Sequence, residues 1–364
     1  MRILLIGPTT PHRGGVAHFT SMLSNFLHQQ HIVTTWGFAP LYPAWLFPGN
    51  TAADPSQQPI ACQVDRWLDG GNPLSWWRAC RQIAPGQFDL IIWQWWTPYW
   101  IPLIWLLSLA ARRARITTIA ISHQLVEPDA AAWQRWLAQV MLQRADGVIF
   151  LGNHATQLPN WQRPWRVTPL PIHAAVVGST IPDQPTARQR IGVPVDAQIA
   201  LCLGFVRPYK GIDTIISAMA TSPHTYLLLI AGEWWQARQP IEDLIRRHQL
   251  KQRVIIHDHY IANEQIVDYV QAADLLVLPY RSGSVSGVAT LAATVGLPII
   301  ASTVGAIANQ SGVVARIAPN QPSAWQAAVT QFFTKKSARV IPIHDTTWQQ
   351  LQQAIEEVWN DCNA

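Results

Sequence analysis

Short apolar runs alternate with helix-spaced stretches along the whole chain, and this alternation restricts its folds more than any other feature. Ile3–Ile6, Ile32–Phe38, Phe88–Trp93, Thr117–Ile121 and Gly147–Leu151 read as buried strands in the first half. Ile199–Leu203, Tyr226–Ala231, Val254–His257, Asp274–Leu278 and Ile299–Ser302 read the same way in the second. Most are continuously apolar, as strands covered on both faces are. Between them lie segments with helical spacing, such as Val16, Phe19, Met22, Leu23, Phe26 and Leu27, or Ile212, Ile215, Ile216 and Met219. Strand–helix alternation implies parallel sheets with crossover helices. The 364 residues suffice for two such domains. Val167–Ile172, with Pro169 and Pro171, reads as the crossing between them.

In open α/β sheets, ligands bind where the strands end, so the loops there deserve the closest reading. After Ile199–Leu203 the chain reads Gly204-Phe205-Val206-Arg207-Pro208-Tyr209-Lys210-Gly211 and enters a helix with Asp213 in its first turn. A carboxylate there suits the positive end of the helix dipole. Arg207 and Lys210 place two cations at a strand mouth, which suits a diphosphate; a solvated turn is the plainer alternative. Pro8, Pro11, Gly14 and Gly15 break the chain after the first strand, so Gly14 and Gly15 open a helix whose free N–H groups can face an anion. The spacing is not GxGxxG, and the dinucleotide fingerprint is absent. Gly283, Ser284, Ser286 and Gly287 enter another helix, either as an anion cradle or as a turn capped by Ser286. Thr117–Ile121 delivers His123 to its C-terminal end, a place from which an imidazole reaches a hydroxyl or a developing charge.

Charge and aromatic residues are unevenly spread. The first 170 residues hold 12 arginines, no lysine and 7 acids, and 14 of the 19 tryptophans. A basic, Trp-rich half suits an anionic membrane surface or an anionic acceptor, whereas arginines this thinly spread do not suggest nucleic acid. Leu90–Ala111 carries no charge, but Gln94, Pro98 and Pro102 interrupt it, so a buried strand and a buried helix account for it better than a membrane span. A helix lying in a membrane interface, with Arg112, Arg113 and Arg115 at its end, stays open. Trp95, Trp96, Tyr99 and Trp100 leave the same strand and serve either packing or an arriving acceptor. The four cysteines are far apart, with no CxxC, which fits a reducing cytoplasm and suggests no zinc site. The start, Met1–Gly7, reads as a strand and not as a signal peptide. The segment Thr347–Trp359 is amphipathic, with Trp348, Leu351, Ile355 and Val358 on one face.

Several stretches together resemble the GT-B-fold glycosyltransferases of family 4: IGPTTPHRGGVAHFTSML, DLIIWQWWTPYW, ISH, GFVRPYKGID, AADLLVLPYRSGSVSGV and VGLPIIASTVGA. The resemblance implies an α/β protein of two Rossmann-like domains, with parallel sheets facing across a cleft. It implies an acceptor-side domain at 1–172, a donor-side domain at 173–345, and a C-terminal helix at 346–364 crossing back to the first. It implies transfer of a sugar from a nucleoside-diphosphate donor to a glycan, lipid or other acceptor, retaining, without a metal or cofactor. In that family Lys210 would bind the diphosphate and His123 contact the donor sugar, while Arg207, two residues past the family's arginine position, is read with Lys210 as the second cation. Gly14, Gly15, Val16, Gly204, Ser286, Gly287 and Val288 would line the donor; Trp96 and Tyr99 are read as acceptor contacts from their place after the strand alone. A place in polysaccharide synthesis follows, in the cytoplasm or peripheral at the inner face of the membrane.

The chain also departs from the broad family pattern. The two glutamates expected eight residues apart are Gly283 and Leu291, a further acid is Asn309, and the arginine expected after Gly204 is Phe205. Three other readings therefore stay in view. One is a nucleotide-sugar or glycan binder without catalysis. Another is a sugar-nucleotide epimerase, for which only Glu233, His123, Glu127 and Asp129 offer acid or base groups. The third is an inverting transferase with Glu127 or Asp129 as base.

Overall fold

The computed structural model describes residues 1–43, 53–56, 61–125, 131–152, 161–171, 181–283, 285–335, 339–340 and 347–364. Two compact units emerge: Met1–Asp54 with Pro59–Pro171 and Thr346–Ala364, and Pro55–Gln58 with Ile172–Asp345.

The first unit begins β1 (Arg2–Ile6), α1 (Gly15–Leu27), β2 (Ile32–Phe38), β3 (Asp65–Leu68), α2 (Pro73–Gln82) and β4 (Leu90–Trp95). It continues α3 (Ile101–Ala114), β5 (Thr117–Ser122), α4 (Ala132–Leu142), β6 (Gly147–Leu151) and β7 (Trp165–Thr168). Its seven strands form one sheet in the order β3-β2-β1-β4-β5-β6-β7. Every pairing is parallel. The uncharged stretch from Leu90 breaks where its prolines predict: strand β4, a single tight turn at Pro98–Trp100, then α3. No helix among the described residues is long and apolar enough to cross a membrane.

The second unit runs α5 (Gln184–Ile191), β8 (Ile199–Leu203), α6 (Ile212–Ala220), β9 (Leu227–Ala231), α7 (Gln239–Arg247) and β10 (Val254–His257). Then come α8 (Asn263–Ala272), β11 (Leu275–Leu278), α9 (Gly287–Thr294), β12 (Ile299–Ser302), β13 (Val313–Ile317) and α10 (Pro322–Thr334). Six strands pair in parallel in the order β10-β9-β8-β11-β12-β13. A buried guanidinium ties the far end of this sheet: Arg188 pairs with Asp274 at 2.8 Å, and Asp274 accepts the Ile199 N–H at 2.7 Å. The last helix, α11 (Thr347–Asn363), belongs to the first unit, where it packs on β5, β6 and β7.

Edge elements depart from the sequence reading. The expected crossing at Val167–Ile172 begins inside β7, an edge strand paired with β6. β3 and β13 lack the continuous apolar run of the central strands, because each alternates or exposes half its residues. In both sheets the strand order reverses direction once, between β1 and β4 and between β8 and β11. Crevices open at such reversals, beyond the C-terminal ends of the strands.

Candidate functional site

In the second unit the reversal is built around Gly204, the first residue after β8. Its φ of +96° is a left-handed backbone that favours glycine, and a Cβ there would lie 2.9 Å from Lys210 Nζ. Lys210 Nζ donates to the Leu203 carbonyl at 3.1 Å and sits 5.5 Å from the centre of the Tyr280 ring. No carboxylate lies within ion-pair distance of it among the described residues. Burial pulls the Lys210 pKa below its ordinary value, Tyr209 and Cys202 oppose that, and Arg207 adds to it. Burial also pushes Tyr280 and Cys202 each up to about 12, so both stay neutral beside the ammonium. A half-buried cation without a counter-charge is costly, and an arriving anion would relieve that cost.

The entrance of α9 meets the same spot. Val288 Cγ2 lies 3.8 Å from where a Gly204 Cβ would stand. Ser286 is the N-cap; its hydroxyl accepts the Ala289 N–H at 3.3 Å. Gln310 fixes that cap, accepting from Ser286 N at 2.9 Å and donating to its carbonyl at 3.0 Å and to Thr290 Oγ1 at 3.1 Å. The first-turn N–H groups of Gly287 and Val288 have no carbonyl partner within the helix. Lys210 and Val288 thus both stand beside Gly204, with Ser286 and Gly287 preceding Val288 at the start of α9. Ser284 lies outside the described residues.

The other cation goes elsewhere. Arg207 stands over Tyr209 at 5.3 Å and lines a separate hollow with Gln236, Pro240, Asp213 and Arg281. Asp213 is there the partner of Arg281, at 2.5 Å, as well as the acid of the first turn of α6. Arg281 also donates to the Pro208 carbonyl at 3.0 Å, and its N–H to the Tyr209 carbonyl at 2.7 Å, so it holds the turn that carries Lys210. Phe205 stacks on Trp235 at 4.3 Å, and Trp235 Nε1 donates to the buried Glu233 at 3.3 Å. The sequence does not single out Arg281, Gln310 or Tyr280 as site residues.

In the first unit Gly14 has φ +106° and α1 begins at Gly15, with no atom within 4 Å of a Cβ at either glycine. A side chain at either position would therefore meet open space. His123 follows β5, donating from Nε2 to Gln94 Oε1 at 2.7 Å and meeting the Phe19 ring of α1 edge-on at 4.7 Å. Gln94 is buried on β4 and is the positioning residue that the sequence does not reveal. The aromatic residues divide: Trp95 and Trp100 are core, while half-buried Trp96 donates to Tyr42 at 3.0 Å and Tyr99 to the Gly70 carbonyl at 2.8 Å. Glu127 and Asp129 lie outside the described residues. Among the described residues no three His, Cys, Asp or Glu side chains gather as metal ligands would.

The two parallel-sheet Rossmann-like units are those of the GT-B class. Solved structures share the fold over essentially full length: Thermosynechococcus elongatus sucrose-phosphate synthase (TM-score 0.69, 20% identity, 100% of this chain and 97% of that one) and Anabaena HepE with UDP-glucose (0.70, 17%, 100% and 98%). Residues 197–335, most of the second unit, match the family described as glycosyl transferases group 1. D-inositol 3-phosphate glycosyltransferase of Xylanimonas cellulosilytica is 29% identical over 134 residues, 35% of this chain and 32% of that protein. That of Mycolicibacterium smegmatis is 30% identical over 126 residues, 33% and 28%. The matched segment spans about a third of the length of these relatives.

Proposed function

We propose that the chain is a glycosyltransferase that takes a sugar from a nucleoside-diphosphate donor. The observation that carries this is the ammonium of Lys210, held by the Leu203 carbonyl with no carboxylate partner among the described residues, beside Gly204 and the capped N-terminus of α9. The match of residues 197–335 to group 1 glycosyl transferases supports it, as does the fold shared with HepE, which holds UDP-glucose.

Breaking a sugar–phosphate bond leaves negative charge on the departing diphosphate and makes the anomeric carbon oxocarbenium-like. Catalysis is then mostly a matter of fixed positive charge and N–H donors on the leaving oxygens. Lys210 supplies the charge; Gly287 and Val288 supply the amides, with Ser286 fixing their direction. Arg207 contributes field from beside the turn. Gly14, Gly15, Val16 and His123 are assigned to the same donor from the first unit, and Trp96 and Tyr99 to a glycan or lipid acceptor. We read the reaction as retaining, with the departing phosphate taking the acceptor proton, so that no carboxylate base and no metal are required. The cysteines, all unpaired, fit a cytoplasmic setting.

The test is release of nucleoside diphosphate from a panel of UDP-, GDP- and ADP-sugars with candidate acceptors. Lys210→Ala is expected to keep the fold and slow turnover by about 100–1000-fold. Near-normal turnover in the folded variant would refute the role. The anomeric configuration of the product decides between retention and inversion.

A further inference from the structure

Three neighbouring helices of the first unit share a surface that the transfer reaction does not use. α2 packs beside α3 and α3 beside α4. Their inner stripes are core, for example Leu103, Ile104, Leu107 and Ala111 on α3. Their outer faces carry Leu74 at 66% exposure, Trp77 at 55%, Trp105 at 42%, Trp133 at 62% and Trp136 at 65%. Of the five exposed tryptophans among the described residues, four are here. Apolar side chains of this size, gathered on one face and left in water, mark an interaction surface.

Charge says what it meets. None of the three helices contains an acidic residue. Arg78, Arg81, Arg112, Arg113 and Arg135 lie on the same outer faces, all exposed. Arg81 stacks over Trp77 at 4.7 Å, a cation–π pair that holds an indole and a guanidinium side by side on this face. Nearby acids are engaged elsewhere: Asp69 Oδ1 accepts the Gly71 N–H, Asp89 pairs with Arg2, and Asp146 holds Thr118. An anionic bilayer takes indole rings at the interface and guanidinium groups among the phosphates, which matches both kinds of side chain on this face. We propose that the α2–α3–α4 face docks the protein on an anionic membrane surface.

The direction of the helices adds a consequence. Each follows a parallel strand, so their N-terminal ends lie at the C-terminal edge of the sheet. The exposed apolar residues occupy the first two turns of each helix, and most of the arginines lie further along. Docking therefore brings the edge bearing Gly14, Gly15 and His123 toward the bilayer.

The experiment is co-sedimentation of the full chain with phosphatidylcholine vesicles with and without phosphatidylglycerol. The wild type is expected to bind only the anionic vesicles and to be released by salt. Arg81→Gln and Arg113→Gln are each expected to weaken binding about fivefold. A triple variant, Trp77→Ser with Trp133→Ser and Trp136→Ser, should lower it about tenfold or more. Trp165→Ser, exposed on β7, should bind as the wild type does. No binding to anionic vesicles, or variants that bind like the wild type, would overturn the proposal. So would a dimer that the triple Trp variant dissociates, since the face would then be a contact between copies. No donor or acceptor is present, so failure here leaves the transferase reading untouched.

Discussion

Lys210 is an ammonium with a carbonyl on one side, an aromatic ring on the other, and no acid among the described residues to answer its charge. Its burial sets a pH dependence. The charged form is disfavoured in the free protein, so Lys210 loses its proton below the ordinary 10.5. A diphosphate favours the charged form, so affinity for a nucleoside diphosphate should fall as pH rises through that lowered pKa. The free protein should move the other way and gain stability across the same window, because the unfolded chain there binds the extra proton. Calorimetric titrations at increasing pH read the first effect. Lys210→Arg, which holds its charge, should flatten it. An affinity that stays constant up to the ordinary lysine range would contradict the assignment.

Among elements, α9 and its cap are the part most exposed to test. Gln310 makes three hydrogen bonds to Ser286 and Thr290 and so fixes the entrance of α9. Gln310→Ala should cost about 1–3 kcal/mol in denaturant unfolding, because it leaves buried groups unsatisfied. It should also weaken nucleoside-diphosphate binding, by letting the Gly287 and Val288 amides turn away. Lost stability with unchanged affinity would separate the cap from the site. The same element shows what sequence can and cannot reveal. Ser286 as a cap and Lys210 after a strand are legible because their meaning is local, within a few residues of a helix start. Gln310, Arg281 and Gln94 are not, since the groups they hold lie 24, 68 and 29 residues away. Arg207 sits three residues from Lys210 in the chain, and its side chain lines a hollow with Gln236 and Pro240, a placement that the sequence does not reveal.

For the whole molecule, central strands announce themselves by unbroken apolar runs, and edge strands such as β3, β7 and β13 do not. The chain is also not two consecutive pieces, because α11 completes the first unit after the second has been traversed. Leu351, Ile355 and Val358 are buried there, and Phe19 stacks on Trp348 at 5.6 Å. Each such aliphatic side chain contributes roughly 1.5–3 kcal/mol by burial. Ending the chain before Thr347 should therefore lower the stability of the first unit by several kcal/mol, read by calorimetric unfolding, and leave the second unit's nucleotide affinity intact. An unaltered first unit would show that the helix is dispensable.

The account stands on the claim that Lys210 holds the phosphates of a nucleotide. Titration of UDP, GDP and ADP into the wild type and a folded Lys210→Ala variant tests it most directly. At least one nucleotide should bind the wild type, and the variant should lose about 10–100-fold in affinity, the worth of a charge-assisted contact. Equal affinity in the two proteins would contradict it.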